Sequence, residues 1–461
     1  MNRRHFIQTA AAMLGVSAMD SMAAAEQQPA DAGPNIIFIM ADDLGYADLG
    51  CYGQKRIQTP SIDRLAAEGM RFTQCYAGAP QCAPSRCVLM TGQHAGHATV
   101  RGNHGQNAPR HDGEENRIPL RAEDVTVATL LKRAGYATGI TGKWGLGEPG
   151  STGLPNDHGF DEWFGYLNQN HAADYYTDYL WRNKERQIIE GNLEGRRTVY
   201  SADLFSDFSL DFIRKNQASP FFLYVATTIP HKNLEVPDLG DYADEAWPDE
   251  AKAFAAMVTR MDTHVGQIMS LLKELNLDRK TIVFFTSDNG SAKGWEGTFD
   301  SCGPLRDKKF SLYEGGIRCP MIVRWPDRVP AGATSDAVWY FADVLPTVAG
   351  LANAKVPVPV DGTDVTAALL GTAKEMPERF LYWEVPQGDS KPLRQAVRWK
   401  HWKVVRHGSD GELELFDLRT DIGESHNVAA QHPDVTKRIL DFLKTARTPS
   451  PHWPASVDGR T

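Results

Sequence analysis

Five short apolar runs constrain the fold of this chain more than any other feature of its sequence. Each run ends in polar or glycine-containing residues, and the five lie at residues 35–40, 136–141, 221–226, 281–286 and 321–325. Continuous apolar strands with little alternation are typical of a sheet buried on both faces. Between them lie helical patterns, of which residues 249–275 are the clearest, with apolar positions at the spacing of one helix face. The alternation predicts an α/β fold with a large mixed, mostly parallel sheet between two layers of helices.

The C-terminal part of the chain follows a different pattern. From about residue 379, short strand-like runs are separated by polar turns, and a helical pattern follows at about residues 434–446. Short strands joined by polar turns are typical of an antiparallel sheet. We therefore predict a large domain of residues 34–378, which holds the apolar strands described above, and a small C-terminal α+β subdomain of residues 379–461.

The N-terminal residues have the composition of a targeting segment. Arg3 and Arg4 precede an apolar run at residues 10–19, and a stretch of small residues, Ala23 to Ala25, follows. The run is shorter than the ~20 residues that a membrane-spanning helix needs. Residues 1–25 are predicted to be an export signal of the twin-arginine type, with an ordinary secretion leader as the alternative. Residues 26–33 form a spacer, and the protein is expected in the bacterial periplasm or outside the cell, with no membrane span.

Charge and cysteine content exclude two classes of protein. The 461 residues include 49 Lys and Arg against 58 Asp and Glu, which gives a formal net charge of −9. An acidic chain of this kind has no bulk electrostatic attraction to nucleic acid, so no nucleic-acid partner is expected. An anionic substrate would need a locally basic pocket. Six cysteines in a chain of this length do not form a disulfide scaffold.

Four of the predicted strands are followed by side chains that carry chemistry. In open α/β sheets, ligands bind beyond the carboxyl ends of the strands, so we expect these side chains to lie in one site. They are Asp42, Asp43, Lys143, His231, Asp288 and Asn289.

The acidic members of this set predict a site for a hard cation. Carboxylate and amide oxygens favour Ca²⁺ or Mg²⁺ over Zn²⁺, which prefers nitrogen and sulfur ligands. Each pair also has a simpler interpretation, since Asp42 and Asp43 could cap a helix and the Asn289–Gly290 pair is typical of a turn. Their occurrence at the ends of two strands favours the metal.

The basic members predict an anion site beside the cation. Arg86, Lys143, Lys309 and His231 are cationic or can become so, and Arg86 lies in the first turn of a helix that begins near Pro84. The free amides of a helix N-terminus also favour an anion. Each residue alone could simply be solvated. Cys82 remains unexplained, because a thiolate is a soft ligand and a buried core cysteine would be the ordinary interpretation.

The segment around Cys82 resembles the signature of a known family. The letters CAPSR at residues 82–86, followed by TG at 91–92, resemble the type I, formylglycine-dependent sulfatases of the alkaline-phosphatase-like superfamily. Further family blocks occur in order and include NIIFIMADDLGYADLGCYG, GKWGLG, GFDEWFGY, TSDNG and LRDKKFSLYEGGIRCP. The resemblance covers about residues 34–443 and implies a sulfuric-ester hydrolase similar to bacterial arylsulfatases and carbohydrate sulfatases.

The resemblance also implies a cofactor and a role for each site residue. Cys82 would be converted to formylglycine, also called 3-oxoalanine, by a formylglycine-generating or maturase enzyme. The implied ligands of Ca²⁺, with Mg²⁺ less favoured, are Asp42, Asp43, Asp288, Asn289 and the modified Cys82. The implied catalytic residues are Arg86 at the formylglycine hydrate, Lys143 and Lys309 at the sulfate oxygens, and His231 at the leaving-group oxygen. Lys308 is an alternative to Lys309.

One position departs from the family pattern. Many members have a histidine where this chain has Gly145, so the role of that histidine is either dispensed with or taken by another group. Polar and aromatic residues at 91–111 and 168–181 favour a sulfated sugar or other sulfated small molecule as substrate. Candidate substrate-binding residues are His94, His97, Arg101 and His171.

Three alternative functions remain open from the sequence. A phosphonate or phosphodiester hydrolase of the same superfamily would use similar residues. A non-catalytic sulfoglycan-binding protein would keep Cys82 unmodified. A metal-dependent phosphatase unrelated to position 82 would remain active without Cys82.

Overall fold

The computed structural model describes residues 33–105, 117–373, 376–386, 392–408 and 411–454. The predicted export signal, residues 1–25, lies outside the described residues. The strands are β1 (Asn35–Ala41), β2 (Met70–Tyr76), β3 (Ala137–Lys143), β4 (Glu162–Tyr166), β5 (Tyr179–Arg182), β6 (Glu185–Ile188), β7 (Phe221–Ala226), β8 (Thr281–Ser287), β9 (Arg318–Arg324), β10 (Ala333–Ser335), β11 (Trp339–Tyr340), β12 (Phe380–Val385), β13 (Arg394–Trp399), β14 (Trp402–His407) and β15 (Leu413–Asp417). The helices are α1 (Pro60–Ala67), α2 (Cys82–Thr91), α3 (Val127–Arg133), α4 (Ser201–Asn216), α5 (Asp249–Glu274), α6 (Glu314–Ile317), α7 (Val344–Leu351), α8 (Thr366–Leu369) and α9 (Pro433–Leu443).

The larger sheet has eleven strands in the described part of the chain. Its order is β10-β2-β9-β8-β1-β7-β3-β4-β5-β6, and β11 also pairs with β2. The central strands β8, β1, β7, β3 and β4 run parallel to one another. β9 lies antiparallel between β8 and β2, and β4 to β6 form an antiparallel edge. The predicted mixed, mostly parallel sheet is confirmed.

Burial on both faces explains why the central strands are apolar throughout. In β1, Ile36, Phe38 and Met40 pack into one cluster, whereas Ile37 and Ile39 pack into another on the opposite face. Alternate side chains of a strand point to opposite faces of the sheet, so both sets need apolar cover. Helices α2, α3 and α7 cover one face, and α1, α4 and α5 cover the other.

The smaller sheet is antiparallel and has the order β12-β13-β14-β15. One of its faces packs with α9 around Tyr382, Val404 and Ile439, while Trp383 and Val405 on the other face join the core of the larger unit. This is the predicted antiparallel sheet with a helix, whereas the exact domain boundary at residue 379 stays a prediction. In the described residues, no helix combines the length and apolar character that a membrane crossing requires.

Candidate active site

Two parallel neighbours, β1 and β8, bring four oxygen-bearing side chains together. The register pairs Ala41 with Ser287, so the residues that follow each strand emerge side by side. The backbone N–H of Asp43 donates to Asp288 Oδ1 at 3.2 Å, and Asn289 Nδ2 donates to Asp43 Oδ1 at 2.8 Å. Asp42, Asp43, Asp288 and Asn289 are all buried. The structure thus gathers the predicted metal ligands of these two strands into one cluster.

Cys82 begins helix α2 and points into this carboxylate cluster. Its thiol donates to Asp42 Oδ1 at 3.4 Å and lies 3.9 Å from Asp43 Oδ1. Burial, followed by the charges of Asp288 and Asp42, raises the pKa of the Cys82 thiol well above its ordinary value. Without a bound cation, burial therefore favours the protonated thiol, which is a poor nucleophile and a poor metal ligand.

Arg86 and Lys143 place positive charge behind the carboxylates. Arg86, one turn along α2 from Cys82, donates to Asp288 Oδ2 through Nε and Nη2 at 3.1 and 2.8 Å. Its Nη1 donates to the carbonyl oxygen of Lys143 at 2.6 Å. Lys143, the last residue of β3, donates from Nζ to Asp42 Oδ2 at 2.6 Å. Burial alone would raise the pKa of Asp42, but Lys143, His231 and Arg86 hold it well below its usual range.

Lys309 and His231 face the same cluster from the other side. Lys309 Nζ lies 2.6 Å from Asp43 Oδ1 and 3.3 Å from the sulfur of Cys82. His231 follows β7, and its Nε2 lies 3.7 Å from Asp43 Oδ2. Its Nδ1 donates to the carbonyl oxygen of Lys232 at 2.7 Å, which leaves the Nε2 lone pair facing the site. Burial lowers the pKa of His231 to about 4, so the imidazole is neutral at pH 7.

The donor set is suitable for a divalent cation. Ligand atoms of Asp42, Asp43, Cys82 and His231 all lie within 4.8 Å of one another. Oδ1 of Asn289 is buried and has no hydrogen-bond partner among the described residues. A buried carbonyl oxygen is rarely left unpaired, so its orientation fits a metal ligand. With oxygen at position 82, the cluster is a hard-cation site, whereas a thiolate there would shift the preference toward Zn²⁺.

A cavity of about 540 Å³ opens above the cluster. Asp43, Cys82 and Lys309 line its floor, and the wall includes Arg394 at the start of β13 and Trp453 beyond α9. The C-terminal part of the chain therefore contributes to the cavity that the larger sheet supports. The concave shape, the cations and the aromatic side chain suit a polar, anionic small molecule.

Comparison with known proteins identifies the family. The family described as Sulfatase matches residues 34–354, which is well over half of the chain. The chain belongs to the sulfatase family. A second family, described as N-sulphoglucosamine sulphohydrolase, C-terminal, matches residues 304–448 and so includes the smaller sheet. The protein is therefore a sulfuric-ester hydrolase, as the sequence predicted.

Individual relatives extend this similarity over most of the chain. N-acetylgalactosamine-6-sulfatase of Canis lupus familiaris is 36% identical over 426 residues, covering 86% of this chain and 78% of its own. N-acetylgalactosamine-6-O-sulfatase of Bacteroides thetaiotaomicron is 30% identical, covering 90% of this chain and 93% of its own. A solved structure of Ps i-CgsB in complex with k-i-k-neocarrahexaose has a TM-score of 0.79 and 30% identity, covering 92% of this chain and 96% of that chain.

The four weaker candidates for substrate binding lie elsewhere in this sulfatase. His97 Nδ1 contacts Asp361 Oδ1 at 3.0 Å, and the ring of His94 stacks on His97 with centroids 4.2 Å apart. Arg101 donates to the carbonyl and hydroxyl oxygens of Thr448 at 3.0 and 2.9 Å. His171 Nε2 contacts Thr177 Oγ1 at 2.7 Å. None of the four is among the residues that line the cavity.

Their chain neighbours, rather than they themselves, reach the cavity. Asn103 lies two residues after Arg101, and Gln169 lies two residues before His171. Between the alternatives Lys308 and Lys309, the structure brings only Lys309 to the cluster, because Lys308 Nζ contacts Glu296 Oε1 at 3.3 Å outside it. The sequence reasoning missed Gln169 and Arg394. The polar stretch at 168–170 was a signal for Gln169, whereas Arg394 carried none.

Proposed function

We propose that this sulfatase hydrolyses sulfate esters of carbohydrates, and that its nucleophile forms by oxidation of Cys82 to formylglycine. The observation that carries the proposal is the position of Cys82, which lies in a buried cluster of carboxylates and cations at the floor of a polar cavity. Burial raises the pKa of the unmodified thiol, and a soft sulfur ligand does not match the oxygen donors of Asp42 and Asp43 beside it. The carbohydrate is supported by the N-acetylgalactosamine-6-sulfatases and by the bound neocarrahexaose of Ps i-CgsB.

The metal in this proposal is Ca²⁺, with Mg²⁺ less favoured. Its ligands would be Asp42, Asp43, Asp288, Asn289 and an oxygen at position 82, which together form the hard donor set that Ca²⁺ prefers. When present, the hydrated aldehyde and the cation would supply an activated oxygen nucleophile and polarise the sulfate ester.

Three cationic side chains would stabilise the sulfate group and the nucleophile. Lys143, Lys309 and Arg86 are each held in place by a carboxylate, so their charges are already oriented when substrate enters. Fixed charges of this kind stabilise a transition state without reorganisation during the reaction. Arg86 would act from behind the nucleophile, and the two lysines on the sulfate oxygens.

His231 would protonate the leaving alcohol, and Lys309 would remain positively charged beside it. His231 is neutral in the free protein and presents the Nε2 lone pair to the site. A bound sulfate ester adds negative charge beside Nε2, which favours the protonated imidazole. The protonated ring would then donate to the departing oxygen. Lys309, whose pKa is raised well above its ordinary value by the nearby carboxylates in spite of burial, would remain the second cation there.

The proposal is tested by three measurements on protein from its native host. Mass spectrometry of the peptide that contains Cys82 should show an aldehyde in place of the thiol. Metal analysis should find Ca²⁺, and chelation should abolish activity that Ca²⁺ restores. Defined sulfated sugars such as N-acetylgalactosamine 6-sulfate should release sulfate. A thiol-only protein with full activity would refute the nucleophile, bound Zn²⁺ would refute the metal, and faster turnover of aryl phosphonate than of any sulfate ester would refute the substrate.

The predicted export signal belongs to the same proposal. A twin-arginine signal exports folded proteins, so a formylglycine-generating or maturase enzyme could act on Cys82 in the cytosol before export. Blocking the twin-arginine pathway should retain the protein in the cytosol. Unchanged export in that strain would contradict the proposal.

A further inference from the structure

Gln169 is a buried side chain in the wall of the active-site cavity, and its side chain makes no hydrogen bond to the residues that the structure describes. Only 5% of its surface is exposed, and it lines the cavity together with Asp43, Cys82 and Lys309. Neither Oε1 nor Nε2 has a hydrogen-bond partner among the described residues. Buried amide groups are nearly always paired, so an unpaired one that lines a cavity indicates a partner supplied by a ligand.

The backbone around Gln169 is fixed without help from its side chain. Gly145 N donates to Leu167 O at 3.0 Å, and Oδ1 of Asn168 accepts from the backbone N–H of Asn170 at 2.7 Å. Asn168 Nδ2 also donates to Glu148 Oε1 at 2.7 Å. The segment is therefore held on both sides of Gln169, whose carboxamide makes no hydrogen bond to any other part of the described chain.

The position of the carboxamide depends on a glycine in the neighbouring strand-end turn. Gly145 has a φ of +76°, and a Cβ built there would lie 1.8 Å from Gln169 Nε2. Any side chain at position 145 would therefore occupy the place of the amide nitrogen. The absence of a side chain at Gly145 therefore leaves room for the amide of Gln169 in the wall of the cavity.

The chemistry of a carboxamide selects the kind of group that it binds. Nε2 donates and Oε1 accepts, so the amide matches a hydroxyl group, which also donates and accepts. A sulfate oxygen only accepts, and in the proposed function Lys143 and Lys309 already donate to it. We propose that Gln169 binds a hydroxyl group of the carbohydrate next to the sulfate ester and thereby selects sugars over other sulfate esters. This inference rests on the proposed function, which supplies the sulfate and the sugar.

The test uses the full-length protein and the variant Gln169→Met, which keeps the side-chain length but removes both polar atoms. We expect kcat/KM on a sulfated monosaccharide to fall by about 30-fold or more, since a site built around a substrate hydroxyl depends on that bond. On 4-nitrophenyl sulfate, which has no hydroxyl group, kcat/KM should change by less than about threefold. Because unpaired polar atoms are removed from a buried position, the melting temperature should stay constant or rise.

A matched control and a set of analogues complete the experiment. Gln217→Met, at the exposed C-terminal end of α4, should leave kcat/KM on both substrates unchanged. Among monodeoxy analogues of the sugar, wild type should discriminate strongly against one, and Gln169→Met should lose that discrimination.

The remaining outcomes separate this inference from the proposed function. Unchanged kcat/KM on the sugar, an equal loss on both substrates, or a lower melting temperature of Gln169→Met would overturn the inference while leaving the proposed function intact. If the wild type cleaves 4-nitrophenyl sulfate but no sulfated sugar, the proposed carbohydrate substrate fails and the inference fails with it.

Discussion

Cys82 carries a side chain whose own chemistry does not suit its surroundings. Its sulfur lies beside Asp42 and Lys309, in a cluster that otherwise presents oxygen and nitrogen. An unmodified serine in its place would supply an oxygen but no aldehyde. We therefore expect Cys82→Ser and Cys82→Ala to lower kcat/KM for sulfate esters by at least about 10³-fold, because both remove the proposed nucleophile.

The same variants should leave the fold intact. Both replacements change side-chain volume only slightly, so the free energy of unfolding should fall by less than about 1.5 kcal/mol. Urea unfolding measures this quantity beside the kinetic assay. Wild-type activity in Cys82→Ala would show that position 82 takes no part in the chemistry.

Position 145 requires glycine for two reasons, and their effects can be measured separately. Its φ of +76° is costly for any residue with a Cβ, and that Cβ would displace the amide of Gln169. Gly145→Ala is expected to lower the free energy of unfolding by about 1–2 kcal/mol through backbone strain. It should also lower kcat/KM on the sugar as Gln169→Met does.

A second glycine separates strain from displacement. Gly135 has a φ of +88°, and no atom lies within 4 Å of a Cβ built there. Gly135→Ala should therefore show a similar loss of stability by urea unfolding with unchanged activity. Equal loss of activity in both variants would mean that strain, rather than displacement of Gln169, is responsible.

His171 makes the stability of the fold depend on pH. Burial, only partly offset by Asp178, lowers the pKa of His171 to about 4 from an ordinary 6.5. Between these values the unfolded chain binds a proton that the native protein does not, so stability falls as the pH drops from 6.5 toward 4. From pH 7 to pH 5 this amounts to at most about 2 kcal/mol.

The variant His171→Gln isolates that contribution. It removes the titrating group, so the variant should lose less stability than wild type between pH 7 and pH 5 in urea unfolding. His94, whose pKa is also lowered to about 4, mainly by burial, is present in both proteins and cancels in the comparison. Parallel pH profiles for wild type and variant would contradict the prediction.

At the scale of elements, a buried ion cluster joins the smaller sheet to the catalytic unit. Lys403 in β14 contacts Glu314 at the start of α6 at 3.0 Å and Glu424 at 3.1 Å. Burial alone would raise the pKa of Glu314, but Lys403 and Arg318 lower it, whereas burial and the nearby Glu314 raise the pKa of Glu424. Removing the shared lysine leaves two carboxylates facing each other in a buried site.

The variant Lys403→Met should therefore be strongly destabilised. We expect the free energy of unfolding to fall by about 3–5 kcal/mol, the usual cost of breaking a buried ion pair from one side. Lys400→Met is the control, because Lys400 lies in the turn between β13 and β14 and pairs with Glu378 at 2.9 Å at the surface, so the variant should cost less than about 1 kcal/mol. Similar losses for the two variants in urea unfolding would contradict the role assigned to the cluster.

The sequence predicted those elements whose residues are uniformly apolar or clearly periodic. The runs at 221–226 and 281–286 correspond to β7 and β8 within one residue, because strands buried on both faces tolerate few polar side chains. The hairpin of β5 and β6 escaped prediction, since its strands are short and β6 is exposed throughout. The strand order also could not be read, because it depends on pairings between residues far apart in the chain.

The residues of the candidate site also divide into those with a clear signal in the sequence and those without one. Asp42, Asp288 and Lys309 carry charge at strand ends or in family blocks, so the sequence indicated them before the structure brought them together. Gln169 is uncharged and lies in a polar stretch that did not single it out, and its importance follows from its missing partners among the described residues and from Gly145 beside it. Arg394 reaches the cavity because the smaller sheet packs against the larger unit, which no local pattern encodes.

At the scale of the whole molecule, an acidic protein presents a basic cavity to an anionic substrate. The formal net charge is −9, yet Lys309, Lys232, Arg117 and Arg394 all line the cavity. Asp43 is the one carboxylate side chain among the described lining residues, so positive charge predominates there. A predominance of one sign in a concave site raises the local concentration of the oppositely charged ligand, and the effect weakens as salt is added. Arg394 is half-buried in the wall and is not part of the cluster around Cys82.

Arg394 should therefore contribute to binding rather than to the chemical step. Arg394→Gln is expected to raise KM for a sulfated oligosaccharide by about tenfold at low salt, with kcat within about twofold of wild type. The ratio of the variant KM to the wild-type KM should fall as ionic strength increases, because added salt screens the charge of Arg394 in the wild-type protein. Arg419→Gln makes the same change in net charge, but Arg419 is exposed beside Asp417, away from the cavity, so its KM should match wild type. Equal shifts in the two variants would mean that total charge, rather than the position of Arg394, governs binding, and a fall in kcat alone would place Arg394 in the chemical step.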